Sequence, residues 1–397
     1  PGERIEAKVV KQHKRYDEAL TQKIIAPCAQ RIAPQCAHFD VCGACQLQHF
    51  DAQAQRDSKR DAVLALLQKM AKITPHNIHS TLYDQSFHYR RSARIGVNQR
   101  SHSGESIVGF RRRNSAKLFQ VDNCPVLPAH MAPAFDTLRS ELEKIDNAKA
   151  ITHIEYIQGD NQGALTFRTV QALHSQSKQI LNGIGEKLGL QIFIRTDDAL
   201  LPLGDADPMH YNIDNLQLSF EPGDFIQVNA AVNRQMITRA LQWLEIAPGD
   251  RVLDLFCGLG NFSLPLASAG ATVVGVEGSQ RMVQRATQNA LDNALHNCHF
   301  YAADLNTDIR RQSWYGEGFN KLLLDPPRSG ASELIPHLAN YHAEKILYVA
   351  CDPASLARDS AQLGELGYTM TQFCTMDMFP NTAHVESMAL FSREAKA

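Results

Sequence analysis

The chain has 397 residues, with 44% hydrophobic and 21% charged side chains, which is ordinary globular arithmetic and predicts two or three domains at roughly 100–200 residues each. Forty basic against forty-two acidic residues leave a formal charge of −2, which excludes a uniformly polybasic glove for nucleic acid or membrane. No apolar run nears the roughly 18 residues of a membrane-spanning helix, and no signal-peptide pattern is present.

Residues 1–25 read as strand material. Arg4-Ile5-Glu6-Ala7-Lys8-Val9-Val10 alternates and leads into Lys11, Lys14 and Arg15. The chain opens on Pro rather than Met, so it is expected to be a piece of something longer. Residues 26–50 hold Cys28, Cys36, Cys42 and Cys45. Nine cysteines, an odd count with three inside ten residues, fit metal binding or catalysis better than a secreted disulfide framework. Residues 52–72 have helical spacing. Residues 51–230 as a whole mix short alternating segments, such as Ala93–Val97 and Gly163–Phe167, with a helix over Ser175–Leu188, and read as an α+β domain. Within it, residues 81–120 carry eight basic side chains against Asp84 and Glu105, a local +6. Arg90, Arg91, Arg94 and Arg111–Arg113 are placed to grip phosphates, although a solvated face reads the same.

From about residue 231 the pattern changes. A helix over Val232–Leu244 is followed by short apolar runs alternating with helices: Arg251–Leu255, Ala271–Val276, His299–Ala302, Lys321–Leu324 and Lys345–Val349. This predicts βαβ units and a doubly wound, Rossmann-like α/β sheet, closed by a strand pair within Thr369–Ser392. The first strand ends Asp254-Leu255-Phe256-Cys257-Gly258-Leu259-Gly260-Asn261-Phe262. Its glycines let the backbone approach a ligand, but the third glycine of the dinucleotide fingerprint is absent. Glu277 ends the second strand, where it can accept from ribose hydroxyls. Asp304 follows the third, where it can accept from an adenine amino group. Together they describe S-adenosylmethionine better than NAD. Strand four ends Asp325-Pro326-Pro327-Arg328. This is similar to the Asp-Pro-Pro-Tyr loop of amino-methyltransferases, except that Arg328 stands where the aromatic would be. Strand five ends at Cys351, ahead of a helix whose N-terminus would raise its thiolate fraction. Glu386 sits in an otherwise apolar strand, which is costly unless it has a task or a partner.

Jointly, Phe225–Asn229, Asp254–Phe262, Leu324–Gly330, Val349–Pro353 and Phe379–Ser387 resemble the RNA uridine C5-methyltransferases along essentially the whole chain. The resemblance implies a class I methyltransferase domain over 231–397. It implies S-adenosylmethionine contacts at Gln227, Phe256, Asn261, Glu277, Asp304 and Asp325, with Cys351 as nucleophile and Glu386 as base. Spacing alone lets Cys36, Cys42, Cys45 and Cys124 hold either zinc, with His38 or His49 as substitutes, or iron–sulfur. The branch of the family with this cysteine pattern holds a 4Fe–4S cluster, and the resemblance therefore implies that cluster here. A branch acting on large-subunit (23S) ribosomal RNA also carries an N-terminal β-barrel, the TRAM module, and residues 1–25 look like its end. The expected partner is ribosomal RNA, the product 5-methyluridine, and the state a cytoplasmic monomer without membrane attachment. The alternatives are the same chemistry at another ribosomal or transfer-RNA uridine, an amino-methyltransferase using Asp325–Arg328, and a non-catalytic RNA-binding iron–sulfur protein.

Overall fold

The computed structural model of the protein describes residues 2–100, 104–197 and 199–393. Strands β1 (Arg4–Gln12) and β2 (Asp17–Ala26) form an antiparallel hairpin, exposed along nearly its whole length. Ile5, Val9, Val10, Leu20 and Ile25 all face solvent. A two-stranded ribbon buries too little to be stable alone. Beside it, Glu3 is tied to Arg31 by two hydrogen bonds of 2.5 and 2.8 Å. After the cysteine loop, helix α1 (Ala52–Leu66) starts where the Asp51 carboxylate accepts from the amides of Gln53 and Ala54, both at 3.0 Å. A short π-helical turn extends it to Ala71, and strand β3 (Asn77–Ile78) follows.

The central sheet then forms from β4 (Ser92–Gln99), β5 (Ser106–Arg111), β6 (Leu118–Gln120), β7 (Ile151–Gln158), β8 (Gly163–Thr169), β9 (Gln191–Arg195) and β10 (Leu200–Pro202). Among the described residues its order is β10-β9-β8-β7-β4-β5-β6. Neighbours are antiparallel except β8 and β9, which are joined by a helical crossover. Helices α2 (Ala134–Leu142) and α3 (Ser175–Leu188) cover one face. Phe135, Leu138, Leu181 and Ile184 share a core there with Ile95, Val97, Ile154, Leu165 and Phe167. Gly189 ends α3 in the left-handed conformation, φ +65°, which a side chain would resist. The alternation that sends Ile95 and Val97 inward turns Arg94, Gly96 and Asn98 outward. Those three line an open hollow of about 1170 Å³ together with Arg111, Lys117 and Arg168.

A hairpin of β11 (Met209–Ile213) and β12 (Leu216–Phe220) leads to helix α4 (Ala230–Leu244), capped by the Asn229 side chain. Then come β13 (Arg251–Leu255), α5 (Ser263–Ser268), β14 (Thr272–Glu277), α6 (Gln280–Asp292), β15 (Cys298–Ala302), β16 (Lys321–Leu324), α7 (Ile335–Leu338), β17 (Lys345–Ala350), α8 (Pro353–Glu365), β18 (Thr369–Met376) and β19 (Glu386–Ser392). Among the described residues the sheet order is β15-β14-β13-β16-β17-β19-β18-β3. The first five strands in that order are parallel, and β19 is antiparallel to both of its neighbours. Leu322–Leu324 and Ile346–Tyr348 are fully buried, as strands covered on both faces must be. Strand order reverses between β13 and β16, so ligands are expected at the carboxyl ends beside that point.

Residues 51–230 divide between the two sheets. Helix α1 packs on α8 and β18, with Val63 and Leu67 buried in the same core as Leu356, Leu363 and Phe373. Strand β3 extends the C-terminal sheet beside β18, and the β11–β12 hairpin packs with α4 and α6. Apolar periodicity shows that a face is buried but does not name its partner. Among the described residues no helix is long and apolar enough to cross a membrane.

Candidate active site

The turn after β13 is built tightly. The amides of Phe256 and Cys257 both donate to the Val276 carbonyl, at 2.9 and 3.1 Å. Phe256 is held at φ +65°, unusual for an aromatic residue. A Cβ on Gly260 would meet the Leu264 side chain at 2.4 Å, so only glycine fits there. Glu277, at the end of β14, is oriented by the amides of Gly258 (3.2 Å) and Ser279 (3.0 Å). These residues wall a cleft of about 670 Å³, which Gln227, Phe256, Asn261, Glu277 and Asp325 also line.

Two of the expected donor contacts sit differently from the expectation. Asp304 is not among the residues lining this cleft. It is exposed, and its carboxylate accepts from the amide and side chain of Asn306. The Asn261 amide is already engaged. It exchanges two 2.9 Å bonds with Asn233 and accepts from the Tyr211 hydroxyl at 3.0 Å. Asn233 and Tyr211 were not singled out from sequence. The available signal was a polar Asn233 among Val232, Met236 and Ile237 on the buried face of a helix.

Register brings the two chemical groups together. Ala350 of β17 pairs with Ser387 of β19, so Cys351 and Glu386 are next to each other across the same ladder. Glu386 is buried, and its Oε2 has no hydrogen-bond partner. Burial, reinforced by Asp325, pushes its carboxyl up to about 8. Burial also pushes Asp325 up to about 7. The half-buried Cys351 thiol is pushed up to about 11 by burial and by the charges of Glu386 and Asp325, while Arg328 pulls the other way. The expected help from the α8 N-terminus is corrected. Its first amides, those of Ala354 and Ser355, donate to the Asp352 carboxylate at 3.0 and 2.9 Å, so that terminus is already neutralised.

Cys351, Glu386, Arg328 and Phe225 line both the first cleft and a second one of about 620 Å³. Phe225 is 69% exposed at this junction, rare for so large an apolar ring. The second cleft runs past Tyr89, Arg90, Phe379 and His384 to Cys45 and Cys124. It shares Arg94 and Phe110 with the open hollow on the central sheet.

All nine cysteines are free thiols. Cys36, Cys45 and Cys124 meet around Phe39, Tyr89 and Val126, and Cys42 lies beside them. Burial raises Cys42, Cys45 and Cys124, and the charge of Cys36 raises all three further. Among the described residues no three His, Cys, Asp or Glu side chains converge closely enough to hold one metal ion. His38 accepts from the Asp122 amide at 3.3 Å, and His49 lies against the Phe39 ring with its buried Nδ1 unpartnered. Cys28 lies apart, its amide on Glu3. Arg113 holds the loop, donating to the carbonyls of Phe39 (3.0 Å) and Cys45 (3.1 Å). Arg91 is buried, donates to the Gln227 carbonyl at 2.7 Å and stacks on Tyr211. Arg91 is therefore scaffold rather than a phosphate grip, which corrects that expectation for this residue, whereas Arg113, although tied to the loop, is exposed.

The sequence pattern of the tRNA (uracil-5-)-methyltransferase family matches residues 51–394. A protein of Aeromonas hydrophila named 23S rRNA (uracil(1939)-C(5))-methyltransferase RlmD is 41% identical over 99% of this chain and 90% of its own. Its namesake from Alkalilimnicola ehrlichii is 40% identical over 100% of this chain and 91% of its own. Among solved structures, the tRNA (uracil-54, C5)-methyltransferase of Pyrococcus abyssi, in complex with S-adenosyl-L-homocysteine, superposes with a TM-score of 0.76. It covers 98% of this chain and 93% of its own at 22% identity, a likeness of fold.

Proposed function

We propose, from the premise that this chain belongs to the tRNA (uracil-5-)-methyltransferase family, that it transfers a methyl group from S-adenosylmethionine to C5 of a uridine in large-subunit ribosomal RNA. The observation that carries the reading is the buried pair of Cys351 and Glu386 at the junction of two clefts. Uracil C5 is too weak a nucleophile to be methylated directly. In this reading the Cys351 thiolate adds to C6, and the resulting enolate makes C5 nucleophilic. S-adenosylmethionine, when bound, supplies the electrophilic methyl group. Glu386 then removes the C5 proton, the C–H electrons form the C5–C6 double bond, and the sulfur leaves C6 as thiolate. A carboxyl raised to about 8 is a stronger base than an exposed one, which suits that step.

The first cleft fits the donor. Glu277 offers two oriented carboxylate oxygens beside a glycine turn, and Gln227, Phe256 and Asp325 surround it. Asn261 supports the wall through Asn233. The second cleft suits a uridine turned out of its strand, since C5 and C6 are hidden in a stacked helix. Arg90 at its wall, then Arg94, Arg111, Lys117 and Arg168 beyond, supply a basic track for the flanking phosphates. We read Cys36, Cys42, Cys45 and Cys124, gathered in one neighbourhood, as the holders of a 4Fe–4S cluster. Methyl transfer needs no redox step, so such a cluster would serve as a covalent tie. The hairpin of β1 and β2 is read as the end of a TRAM module, and the protein as a cytoplasmic monomer.

The test is a covalent trap. RNA carrying 5-fluorouridine in place of the target should form a denaturant-resistant adduct with the protein and S-adenosylmethionine. Cys351→Ala should form none. Adduct formation by the alanine variant would falsify the nucleophile assignment.

A further inference from the structure

We infer that the cysteine loop is the splint that positions the catalytic base, through Gln46, Gln55 and Asn381 as positioning residues. The inference rests on the reading of Glu386 as base. Glu386 opens β19 and is approached through the loop 377–385. A base must sit within hydrogen-bond reach of its proton, so a loop of that length has to be held. Its first part is held by Lys59, paired with Asp377 and donating to the Phe379 carbonyl, and by the Tyr89 hydroxyl on the Pro380 carbonyl; from Asn381 onward the hold comes from the cysteine loop and Gln55. The Asn381 carbonyl accepts from the amides of Gln46 and Leu47, both at 3.0 Å. The Asn381 amide donates to Gln55 Oε1 at 3.0 Å, and its side chain donates to the Ser86 carbonyl at 2.8 Å. Gln55 in turn donates to the carbonyls of Leu47 (3.0 Å) and Phe50 (2.8 Å) in the cysteine loop. Closer still to the base, the Ala383 amide donates to Gln46 Oε1 at 3.2 Å, and Gln46 Nε2 donates to the Gly43 carbonyl at 2.8 Å.

Gln46 directly follows Cys45, and Gly43 lies between Cys42 and Cys45. An unbroken run of hydrogen bonds therefore leads from the cysteines to a residue three positions before Glu386. Its buried members are Gln55, 2% exposed, and Asn381, 3% exposed, while the bond from Ala383 to Gln46 lies at the surface. Asn381 adopts φ +65°, a left-handed turn that asparagine tolerates better than most residues. Buried amide networks of this kind fix geometry, because any shift strands a donor or an acceptor. Cys351, by contrast, sits at the end of β17 beside α8, and none of these bonds reaches it. Loosening the splint therefore slows removal of the C5 proton while leaving addition of the thiolate to C6 in place.

The experiment uses the complete protein with its cysteine site loaded and two variants. Gln46→Ala removes the contact to Ala383, and Asn381→Gly keeps the left-handed turn while removing the side chain. Adduct formation with 5-fluorouridine RNA stops before proton removal and should stay within about twofold of the unaltered chain. Tritium release from RNA carrying 5-tritiated uridine should fall on the order of tenfold to a hundredfold, as misplacement of a reacting group predicts. Methylated covalent complex should accumulate on natural RNA, with the loss in kcat and not in KM. Gln46→Glu, which keeps the acceptor for Ala383, should recover most of the release. A readout independent of turnover is amide exchange in Cys45→Ser, where residues 381–386 should exchange faster and 345–350 should not. Equal losses in both RNA assays, or no loss in either, would overturn the splint while sparing Glu386 as base. An unaltered chain that forms no fluorouridine adduct would overturn the underlying reading and the splint together.

Discussion

Glu386 opposes the ionisation of Cys351. With its thiol at about 11, on the order of one Cys351 in ten thousand is ionised at neutral pH. The charge of Glu386 is one cause, and Glu386 is itself protonated until about 8. In the proposed mechanism both groups act only when deprotonated, so turnover should rise with pH through the neutral range and beyond 8. Replacing Glu386 with Gln removes one of the charges that hold the thiol up. Its pKa then falls towards the ordinary thiol range, and fluorouridine adduct formation by Glu386→Gln should begin at lower pH than in the unaltered chain. Natural RNA, in contrast, should be methylated and then retained as adduct, because nothing takes the C5 proton. The check is the rate of adduct formation across the neutral and alkaline range. A profile that stays put, or moves to higher pH, would show that the carboxylate does not govern the thiol.

At the scale of elements, α1 is joined to the catalytic end by one buried charge pair. Lys59 Nζ lies 2.8 Å from Asp377 Oδ1, with side chains 6% and 3% exposed, and also donates to the Phe379 carbonyl at 3.1 Å. Removing one partner of a buried pair leaves the other uncompensated, so Lys59→Met should cost about 3–5 kcal/mol. The double variant Lys59→Met with Asp377→Leu should recover much of that loss. Denaturant midpoints decide it, and a double variant no better than the single would assign the cost to packing alone. This joint was not legible in the sequence. Strands β13 and β16 were legible to the residue, because strands buried on both faces are short apolar runs between turn signals. Helix α3 was legible over its whole length, Ser175–Leu188. The partner of α1 was not, since one apolar stripe fits either sheet. Nor was the two-residue β3, too short for any period to show. The residue types of Cys351 and Glu386 stood out, but their adjacency depends on β19 inserting between β17 and β18, which no local pattern encodes. The engagement of Asn261 with Asn233 and Tyr211 is likewise a contact across elements.

On the whole molecule, the net charge of −2 conceals a segregated surface. Residues 81–120 carry +6, but folding spends Arg91 on an internal carbonyl and leaves Arg94, Arg111 and Lys117 on the open face of the central sheet. Folding also adds Arg168 from β8, a residue outside the basic segment, although Asp197 partly offsets it. Through Arg94 and Phe110 this face adjoins the cleft that holds Cys351. If single-stranded RNA lies along it, each phosphate that the protein no longer neutralises should lower the slope of log affinity against log salt by roughly 0.7. Replacing Arg94, Arg111, Lys117 and Arg168 with Ala should then reduce that slope by about 2 to 3 and weaken RNA binding most at low salt. In the proposed reading S-adenosylmethionine occupies the other cleft, so its affinity should not change. Filter binding of the ribosomal RNA fragment at several salt concentrations measures the slope, and calorimetry measures the donor. An unchanged slope would move the RNA track off this face, and a parallel drop in donor affinity would mean that the substitutions had disturbed the fold instead.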